Sequence, residues 1–136
     1  MTSADQFNSR SKDFLPGHLG LAITHTAKGE ASGEIAVKPI HFAPNGYLHA
    51  GTVVTLADSC AGAGCFASLP EGANGFTTIE LKSNHLGTAK EGVIECTAKA
   101  VHMGRNTQVW DATVTHRETG KTLAIFRCTQ MILYPK

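Results

Sequence analysis

The stretch 45–66, NGYLHAGTVVTLADSCAGAGCF, constrains this chain more than any other. Past the polar entry Asn45-Gly46-Tyr47-Leu48-His49, only Thr52, Thr55, Asp58 and Ser59 interrupt a run of small or apolar residues. A helix lying on a protein surface has an apolar stripe and a charged face, and this stretch has almost no charged face. It predicts a helix starting near His49, fading around Ser68-Leu69-Pro70, buried on most sides and too short to span a bilayer. Gly62 and Gly64 within it each cost about 1 kcal/mol relative to Ala, which close approach of a sheet or ligand would offset. At its centre stands one carboxylate, Asp58. Burying an ionised Asp costs several kcal/mol unless something pairs with it, so stability alone does not account for this residue.

The remaining chain supplies what would cover such a helix. Residues 1–17 are polar, with isolated Phe7, Phe14 and Leu15, and read as an arm or short amphipathic helix ending at Pro16-Gly17. Residues 18–136 read as a single domain. Leu19–Thr26 and Gly33–Lys38 are expected as two strands joined across Lys28-Gly29, and 39–48 as a loop broken by Pro39 and Pro44. From Phe76 onward the period is two. Thr77, Ile79 and Leu81 form one set, and Ile94-Cys96-Ala98-Ala100, Trp110-Ala112-Val114 and the segment Leu123–Leu133 follow. Turns at 90–92, 103–106 and 118–121 make these four a consecutive antiparallel meander. The fold class is therefore α+β, with a curled antiparallel sheet of about six strands around one long helix.

Composition removes several functions. A net charge of +1, without a basic run, argues against nucleic acid or an anionic membrane as partner. The four cysteines, Cys60, Cys65, Cys96 and Cys128, have apolar neighbours and no CxxC spacing, which suits buried reduced thiols of a cytoplasmic protein. The first residues lack the apolar core of a signal peptide. The seven histidines lack metal-ligand spacing, and no Walker loop, GxGxxG or GxSxG is present, so neither a metal nor a redox cofactor is expected.

Two features remain as candidate chemistry. His49 and Asp58 are nine residues apart, which on a helix means about half a turn and roughly 13 Å of rise. They cannot meet within one helix. Either one of them is irrelevant, or the site joins His49 of one chain to Asp58 of another. Thr52, Thr55 and Asp58 share a face that Gly62 continues, a thin polar stripe suited to a cleft between two chains. The structural alternative pairs Asp58 with a lysine such as Lys82, or with neighbouring backbone. The His49-Ala50-Gly51 step is the second feature, because free N–H groups at a helix start stabilise a developing oxyanion. The structural alternative is that His49 only caps the helix.

The combination N-G-x-L-H-A-G-T-x-x-x-L-A-D, a T-x-E-L-K-x-N strand over 78–84 and a late G-R-N turn at 104–106 resembles the hotdog-fold thioesterases. It is most similar to the phenylacetate-degradation type, related to the HGG-bearing 4-hydroxybenzoyl-CoA thioesterases, across roughly residues 18–134. The resemblance implies hydrolysis of an aryl or short- to medium-chain acyl-CoA by a homodimer, in turn a dimer of dimers. It also implies roles. Asp58 is the base or nucleophile, the Ala50 N–H of the opposite subunit is the oxyanion donor, and His49 and Gly51 shape the thioester site. Thr78, with Thr77 its neighbour in uncertain register, assists the carboxylate, and Arg105 contacts the CoA phosphates. The sequence departs from the pattern twice. Ala50 replaces the usual Gly, which keeps the N–H and adds a methyl. Ala43 stands where the family often has Asn or Gln, leaving Asn45 as the candidate substitute. A non-catalytic acyl-CoA binder and a hotdog hydratase or dehydratase are the alternative functions.

Overall fold

A computed structural model describes residues 1–136. The elements in chain order are α1 (Ser3–Ser11), α2 (Leu15–His18), β1 (Ala22–Ala27), β2 (Glu30–Ala36), a 3-10 turn (Pro39–His41), α3 (Ala50–Ala67), β3 (Gly75–His85), β4 (Val93–Met103), β5 (Thr107–His116) and β6 (Thr122–Leu133). Thr2 starts α1 with a reciprocal cap, its hydroxyl accepting from Asp5 N–H while the Asp5 carboxylate accepts from Thr2 N–H. Pro16 does not end the arm. It sits in the first turn of α2, where a residue without an N–H loses no hydrogen bond. Gly29, at a φ of +80°, turns the first hairpin as expected. Strand β2 starts at Glu30 rather than Gly33, because Gly33 lies within the strand, where a side chain would strike Cys60 Sγ at 2.8 Å.

All six strands form one antiparallel sheet in the order β1-β2-β4-β5-β6-β3, wrapped around α3. Only β4, β5 and β6 follow one another as a meander. Strand β3 pairs with β6, on the far side from β4, so the expected four-strand meander is incorrect at its first member. Reaching β4 from β3 means crossing three strand spacings, about 14 Å. The connection over 86–92 has seven residues and reaches up to about 24 Å when extended, enough for the crossing. The two sheet edges differ. The Asn8 side chain occupies the β1 edge, donating to Ile23 O at 2.9 Å and accepting from Ile23 N–H at 2.8 Å. The β3 edge has no such cover, and Ile79 and Leu81 beside it are 53% and 41% exposed.

Helix α3 is long and apolar enough by composition to match a membrane span, contrary to the reading from length, but here those apolar faces lie under the sheet. Its glycines serve the sheet. A side chain on Gly64 would meet the Trp110 ring at 2.5 Å, and one on Gly62 would meet Phe76 at 2.9 Å. Trp110 is fully buried, its indole N–H donating to Gln108 Oε1 at 2.8 Å, and Gln108 in turn donates to Ser68 O at 3.0 Å. The ring therefore has no freedom to retreat. Gly64→Ala is expected to lose about 1–3 kcal/mol of stability through overpacking, despite its better helix propensity. Urea denaturation would check this, and a variant as stable as wild type would show that the ring is not fixed. The four cysteines are buried and unpaired.

Candidate active site

The first turn of α3 is arranged around one donor. His49 is the N-cap, and its Nδ1 accepts from Gly51 N–H at 2.7 Å, which puts the ring proton of the neutral side chain on Nε2. A side chain on Gly51 would lie 2.9 Å from that nitrogen, so this glycine makes room for the imidazole. Thr52 N–H donates to His49 O at 3.0 Å. Ala50, the first helical residue, keeps an exposed N–H without an intrahelical partner. Alanine at position 50 is unstrained, since a residue here has ordinary helical backbone.

Two turns along, Asp58 is half-buried and faces β3. Its Oδ1 lies 3.0 Å from Thr78 Oγ1, and no lysine or arginine pairs with it. Burial raises the carboxyl above the usual aspartate range, and the Thr78 hydroxyl only partly opposes that rise. The pairing with Lys82 does not form, because Lys82 is exposed and in register with Arg127. Strand geometry explains why Thr78 and not Thr77 reaches Asp58. Neighbouring side chains alternate between faces, so the exposed Thr77 stands on the opposite face. An irregularity between Thr78 and Glu80 then shifts the phase, and Thr77, Ile79 and Leu81 do not form the single face that simple alternation suggests.

The remaining candidates stay apart from this pair. Asn45 is exposed and uses its Oδ1 to accept from Tyr47 N–H at 3.1 Å, which stabilises its own loop. Arg105 is exposed in the β4–β5 turn, where its carbonyl accepts from the Tyr134 hydroxyl. Thr52 leaves the polar stripe, for it is buried and donates to His41 O at 3.0 Å. The polar side chains of α3 left at least partly open are Thr55, Asp58 and Ser59. One chain thus holds two separate candidate groups, the Ala50 N–H and the Asp58–Thr78 pair, about 12 Å apart along the helix axis.

A family model described as the thioesterase superfamily matches residues 45–123, a span that contains Ala50, Asp58 and Thr78. The chain belongs to the thioesterase superfamily. A 1,4-dihydroxy-2-naphthoyl-CoA hydrolase of Listeria monocytogenes is 38% identical over 111 residues, covering 82% of this chain and 89% of that protein. The protein of the same name from Escherichia coli is 26% identical over 129 residues, covering 95% and 93%. The crystal structure of a mutant thioesterase from Pseudomonas aeruginosa superposes with a TM-score of 0.90 at 26% identity, covering 97% of this chain and 94% of that one. The hotdog fold and a thioester hydrolase activity follow.

Two parts of this thioesterase were not picked out from the sequence. One is Gln130, fully buried on β6, whose Oε1 lies 2.8 Å from Thr78 Oγ1. Its signal was present, since it is the one polar member of the inward set Phe126-Cys128-Gln130-Ile132. The other is a cavity of about 440 Å³ beside the pair, lined by Phe7, Arg10 and Phe14 from the N-terminal segment, Gly62 and Phe66 of α3, and Phe76 of β3. Gly62 is one helical turn past Asp58, and Phe76 is two residues before Thr78 on the same face. The Arg10 guanidinium lies 5.8 Å from the Phe66 ring centre.

Proposed function

We propose that this thioesterase hydrolyses aryl-CoA thioesters as a homodimer, itself half of a dimer of dimers, with each active site built from two protomers. The observation that carries the reading is the Asp58–Thr78 pair, a carboxylate without a cation, held by one hydroxyl and displaced toward the pH range where it works as a base. The pair and the Ala50 N–H face the same substrate only if they come from different protomers, given their separation on α3. The uncovered β3 edge, with Ile79 and Leu81 exposed, is the surface on which a second copy would continue the sheet.

In this reading the thioester carbonyl oxygen accepts from Ala50 N–H of one protomer, beside His49. Asp58 of its partner either takes a proton from water, which attacks the carbonyl carbon, and passes that proton to the departing CoA sulfur, or attacks the carbon itself, expelling CoA as the thiolate and leaving an anhydride that water hydrolyses to the acid and free Asp58. Thr78 orients the carboxylate, and Arg105 on its exposed turn meets the CoA phosphates. The cavity beside Asp58 receives the acyl group. Its phenylalanines favour a flat ring over a flexible chain, and Arg10 offers a cation to a hydroxyl or phenolate substituent. A hydroxylated aryl group also agrees with the substrate in the name of the Listeria relative.

Release of CoA, followed with a thiol reagent over aryl and straight-chain acyl-CoAs, tests this. Hydroxylated aryl-CoAs are expected to have the highest kcat/KM. Arg10→Ala is expected to lower it about tenfold for those substrates and little for unsubstituted ones. Equal losses for all substrates, or a preference for straight chains, would remove the aryl assignment. Binding without turnover of any acyl-CoA would overturn the hydrolytic reading for this chain.

A further inference from the structure

The Thr78 hydroxyl has one proton and two oxygens within reach, Asp58 Oδ1 at 3.0 Å and Gln130 Oε1 at 2.8 Å. It cannot donate to both. Gln130 Nε2 lies 3.4 Å from Cys128 Sγ, so the buried amide bridges Thr78 and a thiol. Its cross-strand neighbour on β5, Gln108, directs its amide to Trp110 and Ser68 instead. Reversing the Gln130 amide end for end puts its nitrogen at the Thr78 position and its oxygen at the Cys128 position, filling the same space and exchanging which end donates. Two complete arrangements result. With Asp58 neutral, its O–H donates to Thr78 Oγ1, Thr78 donates to Gln130 Oε1, and the amide N–H donates to Cys128 Sγ. With Asp58 ionised, Cys128 S–H donates to the amide oxygen, the amide N–H donates to Thr78 Oγ1, and Thr78 donates to Asp58. In each the Thr78 hydroxyl proton has a single acceptor, and the two differ by one proton, lost from Asp58 to water.

We propose that Gln130 is a positioning residue whose amide reversal accompanies the loss of the Asp58 proton and keeps the Thr78 hydroxyl aimed at the carboxylate. This rests on the assignment of Asp58 as base or nucleophile. The reversed chain favours the anion, because hydrogen bonds to a charged group are about twice as strong as neutral ones and a second donor polarises the first. Other titrating groups near Asp58 are few. From β6 the nearest is Cys128, pushed up to about 12 chiefly by burial, and on α3 itself Cys65, also pushed up to about 12 by burial. Both stay protonated across the working range. Strand β3 presents Thr78, which does not titrate, and in the proposed dimer the His49 of the other protomer also faces the carboxylate.

Carboxyl carbon NMR of the wild-type protein, with Asp58 assigned by comparison with Asp58→Asn, follows that proton directly and separates it from His49. The side-chain amide signals of Gln130 are expected to shift with the same midpoint as the Asp58 carboxyl. Gln130→Met is expected to raise the carboxyl midpoint, and the acid limb of kcat/KM with it, by about one pH unit. In a Thr78→Val background the same change is expected to move neither. A merely structural glutamine would lower stability without moving the midpoint, or would move it equally with and without the Thr78 hydroxyl. Either result overturns the proposal, as do amide signals that ignore the Asp58 titration. If Gln130→Met does not fold, the wild-type titration decides alone. Coupled titration in a protein without turnover would leave Gln130 in place and remove the hydrolytic assignment. Turnover with an unmoved midpoint would do the reverse.

Discussion

Asp58→Asn is expected to lower kcat by about a thousandfold or more while leaving the folded protein at least as stable as wild type. The activity loss follows from the pair itself. An amide cannot accept a proton from water and is a poor nucleophile, but it is the same size and still accepts from Thr78. The stability expectation follows from the raised carboxyl. When the folded state holds an acid above its unfolded value, ionising it costs the folded state more than the unfolded one. That contribution to stability is fully present below the unfolded value and lost as pH rises through the folded one. Wild type loses it progressively as pH rises past the unfolded value, and the asparagine never incurs the loss. The melting temperature of the variant should therefore equal or exceed that of wild type at neutral pH, and the difference should shrink in acid, where both side chains are neutral. Thioesterase assays and thermal melts at two pH values check this. Turnover within tenfold of wild type would remove Asp58 from the chemistry, and a clear drop in melting temperature would make it a structural residue.

The parts of this molecule legible in its sequence are those fixed by local pattern. Helix α3 showed itself because a stretch with so little charged surface has to be covered, and the strands showed themselves by period two. Strand order was not legible, since alternation gives the faces of β3 but not its neighbour. Only the seven-residue connection after it, longer than a hairpin turn, hinted at the crossing to β4. The same limit applied at the site. Asp58 stood out because one carboxylate in an apolar helix is costly. Choosing between Thr77 and Thr78 required the face of β3, which the irregularity at Thr78–Glu80 disguises. Thr52 shares the helical spacing of Asp58, but the 3-10 turn packed on it takes its hydroxyl, a contact between elements that no periodicity reports. Arg10 and the phenylalanines of the cavity come from separate segments and gain meaning only where those segments meet.

Mixing two inactive variants is expected to restore about a quarter of wild-type activity if each active site spans two protomers. The first variant is Asp58→Asn. The second, Ala50→Pro, removes only the proposed oxyanion donor. Proline is well tolerated at the first helical position, and the residue before it needs extended backbone, which His49 already has at φ −64° and ψ 131°. Ala50 is exposed, so the ring displaces no packed neighbour. Alone, this variant is expected to lose about 10²–10³ in kcat, the usual cost of one oxyanion donor. In a mixed dimer, one site combines the proline of one protomer with the asparagine of the other, and the second site combines intact Ala50 with intact Asp58. With half of the dimers mixed, one site in four is whole. Sites contained within single protomers would give no recovery, because every protomer then has one defect. Pairing the doubly substituted chain with wild type inverts the logic. A shared site then has one defect everywhere and mixed dimers are dead, whereas a self-contained site keeps the wild-type half alive. Co-expression with two affinity tags isolates the mixed dimers for both measurements, which raises the expected recovery in the first from about a quarter to about half, and recovery there with none in the second excludes a difference in stability between the variants as the cause.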